Sequence, residues 1–226
     1  MLASAGVSPA WSAGNMVTEG QQCGMCQRSE PPFVKAAAYG SYDAGMRELI
    51  HLLKYEGVRP AAAVLGRMLA EVIARLAPGL DKVPLVVPVP LHSSKLRQRG
   101  FNQSELIAHA ALKLHPADLE LEIQPGILIR HRATESQTGL TPERRRANMR
   151  GAFRVTHPAA VMGRDILLVD DVYTTGTTVS ECARVLRKAG AERVWVATVA
   201  RVLKPEVTWA QPPREHLSVL VMAARA

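Results

Sequence analysis

The chain has 226 residues, 47% of them hydrophobic, and a formal net charge of +8 at pH 7. That length suits one α/β domain with a sizeable core plus an appendage, and no run approaches the roughly eighteen apolar residues of a membrane span. Three cysteines exclude a disulfide framework and make a reducing, cytoplasmic setting the expectation, while the positive balance favours anionic ligands.

Residues 1–32 read as an N-terminal tail. The first twenty-two are small and polar, without the basic start or apolar centre of a signal peptide, and disorder is expected there. Cys23-Gly24-Met25-Cys26 and the break Pro31-Pro32 follow. Residues 33–226 read as one α/β domain. Phe33 to Tyr39 suits a strand, and Ala44, Leu49, Ile50, Leu52 and Leu53 predict a helix over 43–55. A second helix follows Pro60, with Val64, Leu65, Met68, Leu69, Val72, Ile73 and Leu76 on its buried stripe. Leu85 to Val89 is an apolar strand between Pro84 and Pro90. Residues 91–102 read as a basic loop, 103–114 as a helix, 127–129 as a strand and 131–150 as a long polar loop. Ile166 to Val169 is a buried strand. Val179, Cys182, Ala183, Leu186 and Ala189 then recur at helical spacing from Thr177 until Gly190, a left-handed helix stop. Arg193 to Val199 is a further strand, and 217–222 is a candidate edge strand. Strands alternating with helices predict a parallel, Rossmann-like sheet flanked by helices and wound by right-handed crossovers. His51, His109 and His115 have no partner pattern and read as structural, and Trp195 between Val194 and Val196 reads as packing.

Residues 166–178, ILLVDDVYTTGTT, carry the most chemistry. Asp170, Asp171 and the turn Thr174-Thr175-Gly176-Thr177-Thr178 fall where a strand gives way to a helix, the edge at which open α/β sheets bind ligands. Backbone N–H groups at the helix start, with threonine hydroxyls, make a cradle for phosphate. Each hydrogen bond to the charged group contributes about 1.5–3 kcal/mol. The two carboxylates repel phosphate and suit either sugar hydroxyls or a divalent metal.

Two basic stretches complete the pattern. In PVPLHSSKLRQRGFNQ (88–103), Lys95, Arg97 and Arg99 follow a strand end, with Gly100 permitting a tight path. They suit a second polyanion such as a pyrophosphate leaving group, arginine matching phosphoryl oxygens in a fork. In residues 130–154, seven arginines against two glutamates leave five net positive charges. This stretch, including Arg144 and Arg145, is expected to be either a lid over a pyrophosphate-bearing ligand or a surface for a nucleic-acid backbone. Aromatic residues for base stacking are scarce, Phe153 being its only one, which favours the lid.

The segment 166–178 closely resembles the phosphoribosyl pyrophosphate (PRPP) signature of type I phosphoribosyltransferases. In that family the paired acids hold the ribose 2′- and 3′-hydroxyls and the Thr/Gly turn holds the 5′-phosphate. With PVPL…RQRGFNQSELIA, RHRATESQTGLTPERRRANMRGAF and LLVDDVYTTGTTVSECARVLRKAGA in order, the chain resembles the ComF family over about residues 23–201. These are phosphoribosyltransferase-like proteins associated with DNA uptake for competence and with carbohydrate use. The arginine-rich stretch also resembles the closing loop of amidophosphoribosyltransferases. The resemblance implies PRPP as ligand with Mg²⁺ bridging pyrophosphate and ribose hydroxyls. It assigns Asp170 and Asp171 to the diol, Thr174 to Thr178 to the 5′-phosphate, Lys95, Arg97 and Arg99 to pyrophosphate, and Arg144 or Arg145 to the lid. The implied activity is phosphoribosyl transfer to an acceptor that no hood sequence identifies. The alternative is a non-catalytic accessory protein of competence and DNA uptake that binds PRPP or nucleic acid, with the competence machinery as partner. The wider superfamily often dimerises, which implies a homodimer. ComF proteins commonly begin with several Cys-x-x-C pairs; here Cys23 and Cys26 supply only half of a four-ligand zinc site, and zinc is not expected.

Overall fold

A computed structural model of the protein describes residues 10–12, 15–17, 31–80, 83–114, 120–134 and 141–202, with backbone alone for 10–12, 15–17, 142–143 and 145–146. Strands β1 (Ala10–Ser12) and β2 (Asn15–Val17) form a small antiparallel hairpin, inside the segment that composition marks as a disordered tail. The candidate edge strand 217–222 and the Cys23/Cys26 pair lie outside the described residues.

Five parallel strands make the central sheet in the order β3-β9-β8-β4-β5. They are β3 (Lys35–Ser41), β4 (Leu85–Pro88), β5 (Glu122–Ile123), β8 (Asp165–Tyr173) and β9 (Arg193–Arg201). The expected parallel sheet is present, and β5 adds an edge that the sequence did not suggest. Because alternate side chains leave a strand on opposite faces, the sheet has a core on each side. One face packs Val86, Leu167, Val169 and Ala197 against helices α1 (Ala44–Tyr55), α2 (Ala61–Leu76) and α4 (Gln103–Leu112). Leu65, Leu69, Val72 and Ile73 of α2 are fully buried, each contributing about 1.5–3 kcal/mol. The other face packs Leu85, Val87, Ile166, Leu168, Val194 and Val196 against α7 (Thr177–Lys188) through Val179, Cys182, Ala183 and Leu186. The left-handed residue expected after α7 is Gly190, with φ 100°.

Three sequence expectations change. The basic loop 91–102 contains a two-turn helix, α3 (Ser93–Arg99), capped by the His92 side chain accepting from the Ser94 N–H. The polar loop 131–150 contains α5 (Pro142–Met149). Its flanking strands, β6 (Leu128–Arg130) and β7 (Phe153–Val155), pair antiparallel with each other rather than joining the main sheet. A short helix, α6 (Pro158–Val161), leads into β8.

Strands β4 and β8 are neighbours, yet the chain leaves β4 toward β5 and leaves β8 toward β9. The connections therefore diverge and open a crevice at the carboxyl ends of these two strands.

Candidate functional site

Strand β8 is nine residues long and carries Asp170 and Asp171 within its last turn of pleat rather than beyond its end. Asp171 is 4% exposed, whereas Asp170 is half-buried. The start of α4, at the mouth of the crevice, reaches both. Gln103 Nε2 donates to Asp171 Oδ1 at 3.2 Å, and Ser104 Oγ donates to Asp170 Oδ1 at 3.0 Å. The Asp171 N–H also donates to Asp170 Oδ1, at 2.9 Å. Lys54, in the last turn of α1, pairs its ammonium with Asp171 Oδ2. The helix start is itself pinned: Asn102 caps it by accepting from the Ser104 N–H at 3.2 Å and donates Nδ2–H to the Val89 carbonyl at 3.1 Å.

This packing separates the two acids electrostatically. Burial pushes Asp171 up, but the Lys54 ammonium and the donors around it prevail and hold its carboxyl below the usual carboxylate range. Burial and then the Asp171 charge push Asp170 up to about 8, against the pull of Lys54. Lys54 is raised because Asp171 outweighs the burial that would lower it.

Helix α3 sorts the basic residues. Lys95 and Arg99 are one turn apart on one face, and Arg97 lies about 200° around the axis from Lys95. Arg99 Nη1 donates to Gln103 Oε1 and its guanidinium lies 5.6 Å from the centroid of the Tyr55 ring. A chain of contacts thus runs Arg99–Gln103–Asp171–Lys54. Burial first, then Arg99, Lys54 and Arg130, lower the Lys95 ammonium. Arg97 is exposed.

The threonine turn joins β8 to α7 as expected. Gly176 is left-handed, with φ 73°, and forms the N-cap of α7; Thr175 and Thr177 share a hydroxyl–hydroxyl hydrogen bond of 2.9 Å. The opening N–H groups of a helix have no acceptor inside it, and α7 directs this end toward the crevice beside the acids.

The arginine-rich excursion leaves the β6–β7 pair and returns to it. Arg130, at its base, donates to Thr134 Oγ1, contacts Met149 Sδ at 3.7 Å and lies 5.7 Å from the Phe153 ring centroid. Arg132 Nη2 donates to the carbonyls of Asn148 and Arg150, each at 2.8 Å, closing the end of α5. Glu181 on α7 accepts from the Gly151 N–H at 2.7 Å and is paired with Arg184. Arg144 is exposed on α5, with its N–H donating to Thr141 Oγ1; the Arg145 side chain lies outside the described residues. Lys54, Gln103, Ser104 and Arg130 are the site residues that the sequence did not single out. The only signal was that Gln103 and Ser104 sit in the RGFNQS run.

Among the described residues, no three His, Cys, Asp or Glu side chains are grouped to hold a metal ion, and both Asp171 oxygens are engaged. The donor set therefore builds no metal cage of its own and fits Mg²⁺ only as an ion carried on a phosphorylated ligand. Cys182 is fully buried and its thiol is pushed well up by that burial, so it is a packing residue.

Residues 107–220 match the phosphoribosyl transferase domain family. The chain is 36% identical over 183 residues to the DNA utilization protein YhgH of Escherichia coli (strain K12), covering 80% of this chain and 78% of that protein. It is 31% identical over 184 residues to competence protein F of Haemophilus influenzae, covering 80% and 79%. It is 28% identical over 182 residues to competence protein ComFC of Streptococcus pneumoniae, covering 80% and 75%.

Proposed function

Since the chain belongs to the ComF family of phosphoribosyltransferase-like proteins, we propose that it binds PRPP in the β4–β8 crevice and transfers the phosphoribosyl group to an acceptor. One observation carries this reading. The acids of β8 lie between the threonine turn opening α7 and the Lys95/Arg99 face of α3, which reaches Asp171 through Gln103, so groups suited to anions flank the carboxyl groups. A ribose 5-phosphate with a pyrophosphate at C1 has that charge pattern.

In this reading the threonine turn and the α7 N–H groups hold the 5′-phosphate, and Asp170 at the carboxyl end of β8 faces the ribose hydroxyls. Lys95 and Arg99 take charge from the departing pyrophosphate. Displacement at C1 passes through a sugar of cationic character, so the chain supplies no nucleophile; it positions the acceptor in line and stabilises the leaving group. Bound with its ligand, Mg²⁺ supplies further neutralisation of the pyrophosphate. The excursion between β6 and β7 is the lid that excludes water.

A second reading is supported by a separate feature. Relatives named for DNA utilization and competence accompany a shallow hollow of about 280 Å³ between β7 and α7, lined by Arg154, Arg184 and Lys188. A nucleic-acid backbone suits that charge, and an accessory role in DNA uptake follows if transfer is absent. Calorimetry with PRPP, with and without Mg²⁺, tests the first reading; absence of binding in both conditions rejects it. Where PRPP binds, pyrophosphate release across a panel of nucleobases and amines separates a transferase from an accessory protein.

A further inference from the structure

The adjacent acids are held in different ways. Both Asp171 oxygens are committed, Oδ1 to Gln103 and Oδ2 to Lys54. The pair is well shielded, with the Lys54 side chain 20% exposed and that of Asp171 5%. It links α1 to β8, while Gln103 extends the link to α4. Asp170 receives its hydrogen bonds at Oδ1 alone, from Ser104 Oγ and the Asp171 N–H. Among the described residues, nothing donates to its Oδ2, and the residue is half-buried at the crevice. Both acids thus bond to the start of α4, Asp171 through Gln103 and Asp170 through Ser104, but only Asp171 is also paired with Lys54 of α1.

We infer that Lys54 is a positioning residue that locks Asp171 as an internal anchor, leaving Asp170 as the single acid that offers a free carboxyl oxygen to the ribose hydroxyls. A ligand hydroxyl that drew Asp171 away would leave a shielded ammonium unpaired, the costly half of breaking such a pair. A hydroxyl that meets Asp170 Oδ2 displaces no N–H or hydroxyl donor, since those of Ser104 and Asp171 use Oδ1. The assignment of Asp170 rests on the PRPP reading; the latch between Lys54 and Asp171 does not.

The test compares wild type with D170N, K54M, D171L and K54M/D171L, by thermal melting and by calorimetry with PRPP and Mg²⁺. K54M and D171L each melt about 5–15 °C lower than wild type, and the double variant recovers at least half of that loss because an apolar pair replaces the ionic one. The double variant binds PRPP within about threefold of wild type, whereas D170N melts no lower than wild type and binds about thirtyfold or more weakly, a lost hydrogen bond to a charged or buried group. Additive losses in the two single variants overturn the latch. A folded double variant that loses PRPP as completely as D170N overturns the division of labour. If the double variant does not fold, carboxyl ¹³C resonances of the wild type decide: on PRPP addition Asp170 shifts and Asp171 stays, and equal shifts overturn the inference. Wild type that binds no PRPP defeats the proposed function, and the melting comparison then still decides the latch.

Discussion

Gly176 and Tyr173 are pressed together across the threonine turn: a Cβ at Gly176 would stand 2.2 Å from Tyr173 Oη and 2.6 Å from Cζ. Tyr173 cannot easily yield, since it is 5% exposed and its ring lies beneath Arg201, its register partner on β9. The φ of 73° adds a second penalty for any side chain. G176A is therefore expected to lose about 1–3 kcal/mol of stability, from strain and overpacking together. PRPP affinity should fall at least about tenfold, as the N–H cradle is displaced. Melting curves and calorimetry check both; wild-type values for G176A would mean that the turn is less tightly built.

Asp170 predicts an unusual pH dependence. Its carboxyl is pushed up to about 8 in the fold, by burial and by Asp171, whereas an unfolded chain releases that proton near pH 4. Between those values the folded protein retains a proton that the unfolded chain has lost, so this group makes stability fall as pH rises from about 4 to about 8. Asp171 has the opposite character: held low, it contributes stability that is present above about pH 4 and is lost as pH falls through its depressed value. Asparagine imitates the protonated Asp170. D170N should therefore gain melting temperature relative to wild type as pH is raised from 5 to 8, with the difference smallest at pH 5. Parallel curves for the two proteins would contradict the assignment.

The signature strand, the threonine turn and α7 are readable in sequence because an unbroken apolar run gives way there to apolar residues at a spacing of 3.6, with a glycine at each end of the helix. Helix α3 is not readable in the same way. Its sequence, SSKLRQR, has Leu96 as its sole apolar residue, that leucine is 42% exposed, and the cap is a histidine. Strand β6 carries the expected apolar residues, yet nothing local says that its partner is β7, beyond the arginine-rich excursion. The candidate site divides likewise. Asp170, Asp171 and the threonines are contiguous and carry a motif, whereas Lys54 reads as an ordinary basic residue closing a helix. Its contact with Asp171 exists only after β3 and β8 are placed in one sheet.

The helical form of α3 turns one basic cluster into two classes. Lys95 and Arg99 share the face toward Gln103 and Lys54, and Arg97 points away from it. R99A should weaken binding of PRPP, and of inorganic pyrophosphate, by about tenfold or more, as a charge-assisted contact is removed. R97A should change either affinity by less than about threefold, within the range of an exposed charge. Equal losses in the two variants would show that the stretch acts as a diffuse basic loop.

Glu181 is the clasp of the arginine-rich excursion. It sits on α7, is 9% exposed, and accepts from the Gly151 N–H where the chain returns toward β7. Burial raises its carboxyl, but Arg184 and the Gly151 N–H outweigh that and hold it below the usual range. Stability from this contact is therefore present above about pH 4 and lost as pH falls through the depressed value. E181A removes the acceptor and leaves Gly151 to find another, at a cost of about 1–2 kcal/mol. The larger effect should be local. With one end of the excursion released, its arginines become open to trypsin, and cleavage between 131 and 150 should accelerate several-fold while the central sheet stays intact. If the excursion is a lid, saturating PRPP with Mg²⁺ should slow that cleavage in wild type and do so less in E181A, because the ordering cost is no longer prepaid by the clasp. Equal cleavage rates for E181A and wild type without ligand would mean that Arg132, holding the carbonyls of Asn148 and Arg150, suffices to keep the excursion in place.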